Sequence, residues 1–164
     1  MKKGFTLIET LVAVTILMIG VIGPLAIAAR GITDGLYAQN RITASYLAQE
    51  AIEFVINRRD SNVLAGNGVF TGISSFTNIR LDVTSNTIGN AQDGCPAGGC
   101  YLAYNTNLGY YQLSASGPFQ RQVDIEDVKD SDEVVIGKEV KVTMSWKNKT
   151  VLQTLTMLGY VYAQ

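Results

Sequence analysis

Between Glu9 and Arg30 lie twenty consecutive residues without a formal charge, 10–29. As a helix rising 1.5 Å per residue, such a run spans about 30 Å, the thickness of a bilayer's hydrocarbon core. It therefore predicts a membrane-spanning helix. Lys2 and Lys3 precede it, and because positive charge stays on the cytoplasmic side, the rest of the chain is expected to face outwards. A cleaved secretory signal is the competing reading, with the small residues of 26–31 (AIAARG) as its cleavage region. Pro24, close to Gly20 and Gly23, predicts a bend or a melted turn, because proline in a helix interior costs about 3 kcal/mol and breakers survive in membrane helices only where other groups satisfy the freed backbone.

Glu9 stands at the head of this oily run. A carboxylate near the bilayer centre costs roughly 2.5 to 3.5 kcal/mol on the mildest scale, so it calls for a partner. The plainer account leaves it at the headgroup interface, where the cost is small.

Beyond Arg30 the pattern becomes amphipathic. Ala44, Leu47, Ala48, Ala51, Ile52 and Val55 recur at helical spacing, with Gln49, Glu50, Glu53 and Asn57 largely off that stripe. The helix is expected to end near Arg59, where Arg58 and Arg59 suit a helix C-terminus and Asp60-Ser61-Asn62 reads as a stop. Residues 61–116 read as loops with short strands at 80–83 and 101–104. Period-two alternation then predicts strands over 119–125 and 140–146. Lys147-Asn148-Lys149 makes a turn into a third strand over 151–158. An antiparallel sheet with one apolar face needs a cover, and the amphipathic half of the helix supplies it. The expected class is α+β.

Composition narrows the function. Histidine is absent, which removes the commonest general base and metal ligand. With 13 basic and 14 acidic residues there is no basic surplus of the kind that binds nucleic acid, so none is assigned. No GxxxxGK[ST] phosphate loop occurs, and no cofactor is expected. Cys95 and Cys100, in GCPAGGC, have four residues between them; this is not CxxC spacing, and two thiolates are half a zinc shell. A loop-stapling disulfide formed outside the cytoplasm is the expected state. The acidic stretch 124–133 (DIEDVKDSDE) reads as a solvated inter-strand loop, with calcium as the alternative; it lacks the glycine and ligand order of an EF-hand, and no metal ligands are assigned. Asn148-Lys149-Thr150 matches a glycosylation sequon but is given no role, because it fits a hairpin turn. Tyr110 and Tyr111 fit an adhesive surface and strand packing equally well.

The opening Gly4-Phe5-Thr6-Leu7-Ile8-Glu9 resembles the type IV prepilin signal. The resemblance implies that a membrane peptidase cuts after Gly4, that the new amino terminus on Phe5 is methylated, and that Glu9 pairs with the Phe5 amine of a neighbouring subunit. Removing either charge from a low-dielectric bundle leaves the other uncompensated, whereas a matched pair fixes axial register. Residues 45–62 (SYLAQEAIEFVINRRDSN) resemble the helix of type IV pilus modification proteins, and the closing strands resemble those of minor pseudopilins of type II secretion. Pro24 lies two residues before the helix-softening proline usual in major pilins, where this chain has Ala26. These likenesses imply a minor subunit of a type IV pilus or secretion pseudopilus. The implied divisions are a leader (1–4), a transmembrane and assembly helix (5–29), its amphipathic continuation (30–60) and a head (61–164). Implied partners are other pilin or pseudopilin subunits, prepilin peptidase, an inner-membrane assembly platform and, before assembly, the bilayer. The implied location is the inner membrane with the head outside, then a surface pilus or periplasmic pseudopilus; a DNA-uptake filament shares this N-terminus. The rival reading is a single-pass membrane-anchored receptor or enzyme with a fortuitous motif.

Overall fold

The computed structural model describes residues 4, 6–85, 87–89, 95 and 99–163. Helix α1 runs Leu7–Leu64, five residues beyond the expected end at Arg59. Asp60-Ser61-Asn62 does not stop it. Asn62 is buried and its side-chain amide donates to the carbonyls of Val69 (3.1 Å) and Thr71 (2.8 Å), so it pins the following turn from inside the helix. The stop is Gly66, at φ +70°. Its N–H donates to Val63 O while Asn67 N–H reaches Asn62 O; these are the paired bonds of a Schellman cap, which needs a left-handed residue at that position.

The chain divides into two compact units, one up to Gln39 and one from Asn40 onward. The first is helical throughout its described residues apart from Gly4 and Thr6. Among its described residues the second combines the remainder of α1 with seven strands: β1 (Arg80–Asp82), β2 (Thr87–Gly89), β3 (Cys100–Asn105), β4 (Tyr110–Ser114), β5 (Phe119–Lys129), β6 (Val135–Asn148) and β7 (Val151–Tyr162). β1 and β2 form a small antiparallel pair, and the other five form one antiparallel sheet in the order β4-β3-β5-β6-β7. β5, β6 and β7 lie where alternation placed strands, and β1 and β3 lie where short strands were expected at 80–83 and 101–104. β2 and β4 were not expected; they are short and lack a strict period-two apolar pattern, so their signal is weaker.

The inner face of the sheet follows the alternation. Phe119, Val123 and Ile125 of β5 and Val140, Val142, Met144 and Trp146 of β6 are buried, and register places Phe119 opposite Trp146 and Val123 opposite Val142. Against them lie Ala44, Leu47, Ala48, Ala51 and Val55 of α1, all buried. Three alanines in that stripe let the helix backbone come close. Gly159 of β7 marks how close, since a Cβ there would lie 2.6 Å from Ile52 Cγ2. Burying each large aliphatic side chain contributes about 1.5–3 kcal/mol, so this face holds the unit together. An aromatic row crosses the strands beside it, Tyr104 to Tyr111 (5.3 Å), Tyr111 to Phe119 (5.6 Å) and Phe119 to Trp146 (6.3 Å). Tyr111 is thus a packing residue, while Tyr110 is exposed.

The inter-strand loop expected over 124–133 is mostly strand. β5 continues to Lys129, because Asp127 faces Lys138 across the ladder and their side chains pair. Only a tight turn remains, closed by Asp130, whose carboxylate accepts from the N–H groups of Asp132 and Val134, both at 2.9 Å.

Candidate functional site

The N-terminal segment singled out by the sequence begins with Gly4, which is exposed, and Thr6, whose carbonyl accepts from Glu9 N–H (3.1 Å) and Thr10 N–H (3.2 Å) to start α1. Glu9 lies in the first helical turn and is exposed. There a carboxylate is favoured by the unpaired amides and dipole of the helix start. The spacing Thr6-x-x-Glu9 is also that of a capping box, a local signal beside the prepilin resemblance. Phe5, the residue whose amine would meet this acid in a neighbouring subunit, lies outside the described residues, as do Lys2 and Lys3.

From this start the helix presents hydrocarbon on all sides. Among the described residues one helical segment is long and apolar enough to cross a membrane, with a mean hydropathy of 2.6 over eighteen residues, and none of that window is buried within the chain. Side chains such as Leu11, Ile16 and Ile22 are largely exposed. A helix apolar all round requires lipid or other helices as its surroundings.

Of the bend or melted turn expected at Gly20, Gly23 and Pro24, no turn is melted: α1 passes through all three as helix. Proline removes the bond its N–H would have given to residue i−4, but its fixed φ is close to helical, so neighbouring bonds can carry the helix past a single gap.

The second unit holds its part of α1 by a buried charge that sequence reading missed. Arg121 projects from the inner face of β5 with its side chain 3 % exposed. It donates to Glu50 Oε2 (2.8 Å) and Leu47 O (3.1 Å) on the helix and to Leu81 O (3.1 Å) on β1. One guanidinium therefore ties three elements. Burial pulls the Arg121 pKa down, and the Glu50 carboxylate, with Asp82 further off, acts against that. The signal was present: alternation over 119–125 puts residue 121 on the same face as Phe119, Val123 and Ile125, and a buried arginine must find an acid. A second pair, Lys138 with Asp127, is completed by Ser75, whose hydroxyl donates to Asp127 Oδ1 (2.6 Å) and accepts from Lys138 Nζ (3.0 Å). Hydrogen bonds from Lys138 and then Ser75 hold the Asp127 carboxyl below its ordinary value. At the end of β7, Arg59 donates to Tyr162 O (2.8 Å).

Cys95 and Cys100 are joined in a disulfide, beside a cavity of about 310 Å³ lined by Arg80, Tyr101 and Leu113 among others. A shallow hollow of about 510 Å³ is lined by Glu50, Glu53, Asn57 and Asp60 on the helix and Val83. No group of three or more His, Cys, Asp or Glu side chains placed to hold a metal occurs among the described residues. In the stretch offered for calcium, Asp127 is committed to Lys138, Asp130 to backbone amides and Glu133 to Lys129 (2.8 Å).

Fold and N-terminal segment together define a class, an α+β chain of pilin-like architecture whose apolar N-terminal helix fits a membrane anchor. Residues 1–23 match the family described as the prokaryotic N-terminal methylation motif. That match supports a type IV pilin-like chain and speaks for the N-terminal segment, since it ends at residue 23. No curated protein and no solved structure matches the chain.

Proposed function

We propose that this chain is a minor structural subunit of a type IV pilus or a secretion-type pseudopilus. Prepilin peptidase cuts it after Gly4 and methylates Phe5, and the exposed apolar helix then passes from lipid into a bundle of sibling helices. The observation that supports this most directly is the coincidence of the methylation motif over 1–23 with an apolar, membrane-length stretch of α1, none of which is buried within the chain. In the bundle, Glu9 pairs with the Phe5 amine of a neighbouring subunit, which fixes register because an unmatched charge in low dielectric is costly. Pro24, with Gly20 and Gly23, stays helical in the lone chain and loosens only where neighbouring helices satisfy the freed carbonyls. The minor role rests on the likeness of 45–62 and the closing strands to accessory subunits. The chemistry is assembly rather than catalysis.

Co-expression with a prepilin peptidase tests the reading. The mature chain is expected to lose Met1 through Gly4 and gain one methyl group on its new terminus. Glu9→Ala is expected to be inserted and cut normally yet to enter filaments poorly. An uncut chain, or normal incorporation of the variant, would refute the proposal.

A further inference from the structure

Within the second unit the two ends of the sheet carry opposite character. Contacts fix which end is which relative to α1: Tyr162 O meets Arg59, Gly159 meets Ile52, and Arg121, in register with Met144 and thus with Leu155, meets Leu47 and Glu50. Descending β7 therefore descends the helix towards Asn40. The four residues from Leu155 to Val151 cover about 13 Å, or about nine helical residues. The β6–β7 hairpin is thus level with the first residues of the unit, where the chain arrives from the apolar segment. The β3–β4 turn points the same way, since β3 runs antiparallel to β5 and passes Phe119 at Leu102.

This proximal end is basic and apolar. Arg41, Lys147 and Lys149 are exposed there, and 40–49, 101–120 and 143–156 contain no aspartate or glutamate. Tyr46 is 68 % exposed, Leu108 55 %, Val151 58 % and Leu152 61 %. The distal end, around the β5–β6 turn, carries Glu126, Asp127, Asp130, Asp132, Glu133 and Glu139 against Lys129, Lys138 and Arg59, and is acidic on balance.

We propose that the proximal end is a docking surface for an anionic phospholipid bilayer, and that it seats the head on the membrane before assembly. The inference rests on the membrane-anchored reading above. Lysines beside exposed aliphatic and tyrosine side chains suit a headgroup interface, where stems and rings lie in the apolar boundary and charges reach lipid phosphates. Opposite polarity at the two ends orients the head, because the acidic end is repelled by the same surface. Proximity is guaranteed by the chain: the eleven residues from Ala29 to Asn40 reach at most about 40 Å even when extended, so the surface searches only a small volume above the bilayer. Each basic residue near an anionic surface is worth about a factor of five in binding, so Lys147 and Lys149 together give about 30-fold.

The test uses the full chain in nanodiscs of phosphatidylcholine alone or of phosphatidylcholine mixed with the anionic lipid phosphatidylglycerol. An environment-sensitive fluorophore is placed at Thr150→Cys, with Asp132→Cys as the distal reference. The expected result is a blue shift at position 150 in the anionic discs only, reversed by salt. Lys147→Gln with Lys149→Gln lowers the ratio of docked to free head about 30-fold, and position 132 stays in water throughout. Chains that purify with both kinds of disc but show no lipid-dependent shift at position 150 overturn this inference alone. Chains that leave both kinds of disc overturn the anchored reading and this inference with it. A shift that follows the number of chains per disc instead of lipid charge overturns it in favour of contact between copies.

Discussion

Glu50 is expected to be worth far more than an exposed carboxylate, because of what it leaves behind. Glu50→Ala removes the carboxylate bonded to the Arg121 guanidinium, which is 3 % exposed. Arginine keeps its charge at any ordinary pH, so the buried cation cannot escape by losing a proton. Its two carbonyl acceptors, Leu47 O and Leu81 O, are dipoles and only partly compensate. Breaking a buried pair from one side costs about 3–5 kcal/mol; the 35 % exposure of Glu50 lets water reach the site and places the expected loss near the lower figure, about 3 kcal/mol. Arg121→Met should cost less, about 1–2 kcal/mol, because it fills similar volume, frees Glu50 to water and orphans one strand carbonyl. The double variant should then resemble Arg121→Met, with a coupling of about 3 kcal/mol between the positions. The assay is available in the sequence: Trp146 is the single tryptophan and is 4 % exposed against Phe119, so its fluorescence during urea unfolding in detergent reports the second unit. A loss below 1 kcal/mol for Glu50→Ala, the range of surface pairs, would show that the guanidinium is not the tie between helix and sheet.

Two further changes probe the same packing. Gly159→Ala should cost about 1–3 kcal/mol, since its methyl would sit 2.6 Å from Ile52 Cγ2, and Ile52→Ala in the same chain should recover part of that loss in the tryptophan assay; strict additivity would contradict the contact. Asp127 has its carboxyl pKa held down by Lys138 and Ser75. Its contribution is present above the unfolded value near 3.9 and lost as pH falls through the lower folded value, so unfolding curves of Asp127→Asn should converge on those of the parent as pH drops below about 4. An Asp127→Asn deficit that stays constant from pH 7 to pH 2 would contradict the pairing.

Legibility varied along the chain for physical reasons. The stripe Ala44, Leu47, Ala48, Ala51 and Val55 was readable because a helix face in contact with a sheet must be apolar at helical spacing, and all five are buried. β5, β6 and β7 were readable because each shows one face to the core. Their lengths were not, since Asp127 and Lys138 look like loop residues until register sets them opposite each other. The helix end was misplaced because Asp60, Ser61 and Asn62 have two uses, as breakers or as side chains that bond the next turn, and only the folded chain selects between them. At the N-terminus the motif singled out Glu9, which lies exposed in the first turn of α1.

By itself the sequence determined the period of each element and the solvent each must face: 10–29 carries no charge and therefore demands an apolar medium, and alternation over 119–125 assigns faces before any strand has paired. Those are local facts, fixed by residue order and backbone geometry. Tertiary structure alone decided that Arg121 of β5 meets Glu50 of the helix, that Gly159 admits Ile52, and that basic and acidic residues far apart in order gather at opposite ends of one sheet. Such pairings depend on strand order and register, and no local spacing in the chain carries that information.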